Sequence, residues 1–288
     1  MMKNTNMHHR LVFALTLVCL LGFAGLAQEN KSPSVQAPEW WKVSSRRNGE
    51  PLDTFQKHLE LQFSGERLTG NESGTELSGH ASFVLRRRIW SWYSDLSLSH
   101  KDKDYGLMGE TKETTYRVGN FLRQDFDECW FASTGIINER DDTMFVDSRN
   151  DLLLGVGYDW FPLPNLQITP YLAAGYEHVS YDISLLKHFS PPFTGEDDAA
   201  GAAAIAQIRT IWKVNDFFSV RPDARYLSFT DGDMDDRWQL GCSLQFDVHK
   251  HVSLILRGEL NQEENAVIRH IGGKEHNTAI KWLLRITF

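Results

Sequence analysis

The chain has 288 residues, and its 30 Lys and Arg against 38 Asp and Glu give a formal net charge of −8. A chain this acidic repels the phosphate backbone, which argues against a nucleic-acid partner. The mean hydropathy of −0.38 excludes a bundle of membrane helices, and the 12% aromatic content is typical of an ordered chain.

The first 27 residues have the composition of a secretory signal peptide. Lys3 and Arg10 precede the apolar run LVFALTLVCLLGFAGLA, which ends in small residues before Gln28. This run is short for a membrane-spanning helix, which needs about 20 residues. We therefore expect residues 1–27 to be a cleaved signal peptide. The proline-containing, polar residues 28–56 predict a periplasmic N-terminal linker.

From about residue 57 to residue 288, apolar and polar side chains alternate with a period of two, which indicates strands with two different faces. The clearest example covers residues 237–248. Its apolar face carries Trp238, Leu240, Cys242, Leu244, Phe246 and Val248. Apolar residues lie on both faces of residues 129–140, so the register of that strand is left open. Cys129 and Cys242 sit singly in strand-like runs, and we expect no disulfide and no metal site from them.

Short and long connections alternate along the predicted strands. Short ones lie near residues 86–91, 124–128, 161–165, 213–217 and 248–251. Longer polar ones lie near residues 69–74, 101–110, 141–147, 182–199, 230–236 and 262–275. They join about twelve strands of about 11–15 residues, which is long for a soluble protein. Aromatic residues collect beside the short turns: Trp90, Trp92, Phe121, Trp130, Trp160, Phe161, Trp212, Phe217, Phe218 and Phe288.

Together these patterns predict an all-β protein, a closed antiparallel transmembrane β-barrel of about twelve strands over residues 57–288. A closed barrel satisfies every backbone hydrogen bond inside the bilayer, and aromatic side chains favour the membrane interface. We expect the bacterial outer membrane as its location. The expected partners are outer membrane lipids and lipopolysaccharide, and also the barrel assembly machinery, through the last strand ending in Phe288.

The segment FSGERLTGNESGTELSG, residues 63–79, resembles the opening hairpin of the DUF481 family, described as salt-induced outer membrane proteins. Thr69, Gly70 and Asn71 occupy the turn of that hairpin. Phe288 is similar to the terminal aromatic residue of many outer membrane barrels. The resemblance covers about residues 57–288 and implies a fold and a location, because the family has no established activity.

The predicted lumen is rich in charge, and we expect either a narrow pore for small hydrophilic solutes or a structural, stress-related envelope protein whose lumen is filled by paired charges. The candidates for a constriction are Arg221, Asp223, Arg225, Arg237, Arg257, Glu259 and Arg285. The first four form the densest group on adjacent predicted strands.

Two other functions remain as alternatives. A lipid-modifying enzyme would need a Ser or Thr nucleophile with a histidine near the outer rim, and the histidines available by position are His80, His100, His178 and His276. None lies in a recognisable motif, so we expect no enzyme and no cofactor. A surface adhesin would act through the loop at residues 182–199. The acidic residues 231–236 lack the ligand spacing of a calcium loop and predict a solvated external loop.

Overall fold

The computed structural model describes residues 42, 44–48, 53–68, 73–104, 110–182, 197–230, 234–262 and 276–288. The expected signal peptide, most of the linker, residues 183–196 of the expected adhesin loop, and residues 231–233 of the acidic loop lie outside these residues. Within the described part of the chain, no helix is long and apolar enough to cross a membrane.

Thirteen antiparallel strands make up one sheet in the described residues. They are β1 Gln56–Leu68, β2 Ser73–Arg87, β3 Trp90–Asp104, β4 Glu110–Asp125, β5 Trp130–Asp141, β6 Val146–Tyr158, β7 Trp160–Leu163, β8 Leu166–Tyr181, β9 Asp198–Asn215, β10 Phe218–Phe229, β11 Arg237–His249, β12 Val252–Gln262 and β13 His276–Thr287. Short 3-10 helices cover Ser45–Asn48 and Asp142–Met144. Because β6 and β7 both pair with β8, they are two parts of one wall strand, and the barrel has twelve strands.

The sheet closes on itself. The first strand pairs with the last, with Leu61 opposite Ile286, and β6 pairs with β8, with Leu154 opposite Ala174. All other neighbours are consecutive in the sequence. At this closing seam, residues 60–63 of β1 pair with residues 284–287 of β13, so the two terminal strands satisfy each other's backbone groups there. The closed antiparallel barrel of about twelve strands expected from the sequence is confirmed.

The outer face of the barrel is apolar. At mid-wall, Leu152, Leu154 and Leu172 are 56%, 66% and 63% exposed. Similar exposure is found in every part of the wall, at Phe63, Leu77, Leu98, Leu122, Ile136, Tyr176, Val248, Leu254, Ile280 and Trp282. A continuous apolar belt of this size requires lipid around it. This protein is therefore a membrane-spanning β-barrel.

The short turns, the start of β1 and the end of β13 lie at one end of the barrel, called the turn end below; the longer connections lie at the loop end. Large exposed aromatic side chains surround the turn end, as expected: Trp90, Trp92, Trp130, Trp160, Phe217 and Phe288. Phe121 is an exception, because it packs inside the barrel against the buried apolar cluster. The expectation that Phe121 belongs to this aromatic ring was wrong, since its strand position places it on the lumenal face.

A cluster of apolar side chains lies inside the barrel. Ile137, Leu153, Ile205 and Leu227 are buried together, with Phe121 and Phe229 packed against them. Glycines on the lumenal face leave the space that the aromatic rings inside the barrel occupy. A Cβ added at Gly135 would lie 2.2 Å from the Phe121 ring, and one added at Gly157 would lie 2.2 Å from the Phe131 ring. The structure also settles the register that the sequence left open for residues 129–140. Phe131 and Ile137 face inward, and Ile136 faces lipid.

Candidate functional site

The lumen is lined by charged side chains that join into chains of ion pairs. In the loop half, Arg117 Nη1 lies 2.9 Å from Asp95 Oδ2, and Arg149 Nη1 lies 2.9 Å from Glu139 Oε1. Arg149 Nε also lies 3.3 Å from Glu177 Oε1. These pairs connect β3, β4, β5, β6 and β8 on one side of the lumen. Each arginine of this set contacts a carboxylate, which makes this side of the wall rigid, and the three carboxylates outnumber the two arginines by one.

Arg237 extends the same network across the lumen. It projects from β11, reaches past β9 and β10, and pairs with Glu177 on β8. Its guanidinium group also lies 4.9 Å from the centre of the Phe229 ring. This ion pair narrows the lumen, because the Arg237 side chain occupies the space between strands that are not neighbours in the sheet.

A second network lies on the opposite wall. Arg257 donates to Asp223 Oδ1 at 3.0 Å and to Ser243 Oγ at 3.0 Å, and it also donates to Glu259. Arg285 Nη1 lies 3.6 Å from Glu60 Oε2. The contacts of Arg257 join β10, β11 and β12, and the pair of Arg285 with Glu60 joins β13 to β1.

The predicted constriction residues therefore separate into three groups. Asp223, Arg257 and Glu259 form one network, Arg237 belongs to the opposite network through Glu177, and Arg285 pairs with Glu60. Arg221 Nε donates to Ser219 Oγ at 3.2 Å. Arg225 forms no ion pair and no side-chain hydrogen bond within the described residues. The dense group expected on β10 and β11 is thus divided, because Asp223 pairs with Arg257 on β12 while Arg237 pairs with Glu177 on β8.

The turn end of the lumen is lined on one side by a buried polar network that sequence reasoning missed. Arg123 Nε donates to Asp125 Oδ1 at 2.6 Å, and Arg123 Nη2 donates to Asp159 Oδ2 at 2.7 Å. Thr169 and Gln167 also donate to Asp159. Both carboxylates are 0% exposed and Arg123 is 6% exposed. We call these five residues the mouth network. The sequence signal was the period-two placement of Arg123, Asp125 and Asp159 on lumenal faces beside short turns.

The linker contributes to this network. The Ser45 backbone N–H donates to Asp125 Oδ2 at 2.7 Å, and the Ser44 hydroxyl donates to the Asp127 carbonyl oxygen. Gln167 Nε2 donates to the Lys42 carbonyl oxygen at 3.1 Å. Ser44 is 0% exposed and Ser45 is 6% exposed. We call residues 42–48 the N-terminal segment, of which residue 43 lies outside the description. The sequence predicted only an irregular linker here, and the structure holds part of it against the barrel.

The histidines proposed for a lipid-modifying site lie in different environments. His80 faces the lumen opposite Gln62, so it does not serve a site at the lipid face. His100 lies on the outer face near the loop end, opposite Thr114, and His178 lies on the outer face near Asp198. The side chain of His276 lies outside the described part. The contacts of His100 are considered below.

Residues 61–267 match the family described as "Protein of unknown function, DUF481". No curated protein matches the chain. Solved structures with similar folds include the NanC porin, with 10% identity, a TM-score of 0.46, and coverage of 80% of this chain and 97% of that chain. Another is an outer membrane channel from Pseudomonas putida F1, with 11% identity, a TM-score of 0.47, and coverage of 90% and 100%.

The outer membrane phospholipase A from Escherichia coli is similar at 12% identity and a TM-score of 0.42, with coverage of 91% of this chain and 96% of that chain. At these identities and TM-scores, the similarities to solved structures support no conclusion about function.

Proposed function

This chain belongs to the DUF481 family, whose description assigns no activity, and we propose that this member is a narrow outer membrane pore that favours small anionic solutes. The observation that carries the proposal is the state of Arg209 and Arg225 on the lumenal face of β9 and β10. Within the described residues, neither side chain has an ion pair or a side-chain hydrogen bond. Arg209 is exposed and Arg225 is half-buried.

An arginine that stays charged without a carboxylate partner needs water or an anion beside it, because an unsolvated charge is very costly. The other lumenal arginines named above satisfy that need with protein groups. Arg209 and Arg225 do not, so the lumen at their level must hold water and attract anions. Rings or stripes of Arg and Lys are how anion-selective pores favour their solutes.

The charges near Arg225 are of both signs, since Asp151 and Glu177 as well as Arg117 and Arg237 act on it, but none of them forms an ion pair with it within the described residues. Asp223 lies opposite Arg209 in the register of β9 and β10, but its carboxylate is already bound by Arg257 at 3.0 Å. Arg221 lies on the same face of β10 as Arg225. Arg209, Arg221 and Arg225 therefore form a cationic stripe on the lumenal face of β9 and β10, whereas the opposite side, from β3 to β8, carries ion pairs and the further carboxylate of Asp151.

The size of the solute is limited by the side chains that fill the lumen. The Arg237–Glu177 ion pair reaches across the lumen, and the apolar cluster around Leu153 and Leu227 occupies part of the cross-section of the lumen. A solute must pass along the remaining cationic side. This arrangement supports passage of small hydrated anions and not of folded or bulky molecules.

Ion selectivity in a planar lipid bilayer tests the proposal. With a potassium chloride gradient, the unaltered protein should show a reversal potential that favours chloride. Replacing both stripe residues, Arg209→Gln and Arg225→Gln, should shift the reversal potential toward zero or toward cation preference, because the cationic side then loses two unpaired charges.

Arg140→Gln is the matched control, since Arg140 lies at the loop end of β5 with its side chain 43% exposed and pairs with Asp142. It removes one arginine charge outside the lumen and should leave selectivity unchanged. An inserted barrel that carries no current even without the N-terminal segment, or one that favours cations before any substitution, would contradict the proposed pore.

A second candidate function is supported by the surroundings of His100. His100 Nδ1 lies 3.2 Å from the Thr114 hydroxyl, and His100 Nε2 lies 3.4 Å from Asp102 Oδ1. All three side chains lie on the outer face near the loop end, the level of lipid headgroups. A hydroxyl, an imidazole and a carboxylate in this order are the groups that an acyl hydrolase uses.

The same structure argues for the pore as the first candidate. The Thr114 backbone N–H, a natural donor for an oxyanion, donates instead to Asp142 Oδ2 at 3.1 Å. A carboxylate at that position would oppose the negative charge that develops on the substrate oxygen. His100 and Asp102 are also about half exposed, so water competes for their contacts.

Phospholipid hydrolysis in mixed micelles tests the second candidate. If the triad is catalytic, fatty acid release should be detectable and should be abolished by His100→Asn. His178→Asn is the matched control, because His178 is equally exposed and lies 3.7 Å from Asp198, while its register neighbours are Asn150 and Ala200. Release that is absent, or equal in both variants, would exclude this site.

A further inference from the structure

We propose that the N-terminal segment is a plug that closes the turn-end mouth of the lumen and leaves to let solutes pass. The proposal rests on the pore function above, because a plug has meaning only for a lumen that conducts. The segment, which is part of this same chain, binds to the mouth network and to Asp127.

The contacts of the segment have the character of a binding site. Asp125 uses its two carboxylate oxygens for two different partners, Arg123 of the wall and the Ser45 N–H of the segment. Gln167 similarly joins Asp159 of the wall to the Lys42 carbonyl oxygen of the segment. The wall network is therefore complete in itself, and the segment binds to the acceptors and donors that remain on its surface.

The turn that follows β4 adds the negative charge of Asp127 to the mouth of the lumen. The backbone N–H groups of Trp130 and Cys129 donate to Asp127 Oδ1, which lowers the pKa of that carboxyl, and nearby Arg46 acts in the same direction. Arg46 lies in the segment and is exposed. Attraction between a cationic segment and an anionic mouth favours the seated position.

The contacts also allow the segment to leave. They are polar and few, and the Ser45 hydroxyl is buried without a hydrogen-bond partner. Water could replace each of these bonds once the segment moves out. The segment is tethered close to the start of β1 at Gln56, so its effective concentration at the mouth stays high and rebinding is fast. A seated but reversible segment is what gating requires.

Cysteine labelling tests whether the segment is seated. In a full chain with Cys19, Cys129 and Cys242 replaced by alanine, Ser45→Cys should react with a water-soluble maleimide roughly tenfold more slowly than Arg46→Cys, because Ser45 is buried and reacts only after local opening. Equal rates at the two neighbouring positions would overturn the plug.

Conductance in a planar bilayer tests whether the seated segment closes the lumen. Ser45→Pro removes the N–H that Asp125 accepts, and proline fits the first turn of the short helix Ser45–Asn48. Removal of residues 28–48 gives the fully unplugged chain. Both variants should pass more current than the unaltered chain, while Ser45→Ala, which keeps the N–H, should behave like the unaltered chain.

The outcomes separate the two proposals. If the full chain and the deletion variant conduct equally, the segment is not a plug and the pore stands. If both are silent although inserted, the pore itself is wrong and the gating role falls with it. A current that rises in Ser45→Pro and in the deletion but not in Ser45→Ala supports the plug.

Discussion

Arg123→Ala is expected to lower the free energy of unfolding by about 3–5 kcal/mol, the typical cost of removing one partner from a buried ion pair. The cost is high because two fully buried carboxylates, Asp125 and Asp159, would lose the same cation. Arg123 also stacks on the Phe131 ring, with its guanidinium carbon 3.8 Å from the ring centre. Urea unfolding of the barrel in lipid vesicles measures the change.

Two further variants identify the cause of that loss. Arg88→Ala removes an exposed arginine that pairs with Asp53, and it should cost no more than about 1 kcal/mol. Adding Asp159→Asn to Arg123→Ala should recover part of the lost stability, because one unpaired buried charge is removed. A small effect of Arg123→Ala, similar to that of Arg88→Ala, would mean that the turn end is wetter than its burial indicates.

Leu152→Arg is expected to destabilise the inserted barrel by about 2–4 kcal/mol, the range for a cation on the lipid face at mid-bilayer. Leu152 is 56% exposed and lies near the middle of β6, with Ile136 and Tyr176 beside it on the same outer face. An arginine there can reach water only by bending toward one interface. The same unfolding experiment in vesicles measures the effect.

Ser180→Arg is the matched control on the neighbouring strand. Ser180 lies next to the end of β8 and opposite Asp198, so an arginine there reaches the interface and should cost about 0–1 kcal/mol. Equal costs at residues 152 and 180 would show that the belt through Leu152 does not face hydrocarbon.

The wall of the barrel could be read from the sequence residue by residue. In β11, each apolar residue from Trp238 to Val248 was assigned to the outer face, and the lumenal positions Ser243 and Gln245 are buried. Two apolar residues that fall on the lumenal face depart from this alternation for a physical reason. Leu153 and Ile255 break the alternation because the lumen contains apolar side chains as well as charges.

The contacts inside the lumen could not be read in this way. Arg237 pairs with Glu177 from a strand three positions away in the sheet, and Arg225 has no such partner although it lies on the strand next to Arg237. Period two gives the face of a residue but not its height or its reach across the barrel. The same limit hid the Thr114 contact of His100.

The sequence by itself determined the strand number, the two faces of each strand, and which connections share one end of the barrel. These features follow from local chemistry, because side chains alternate along a strand and short turns allow only antiparallel neighbours. Only the tertiary structure decided which charges neutralise each other, which arginines form no ion pair among the described residues, and where the N-terminal segment binds. Those outcomes depend on how closure brings non-adjacent strands within the reach of one side chain.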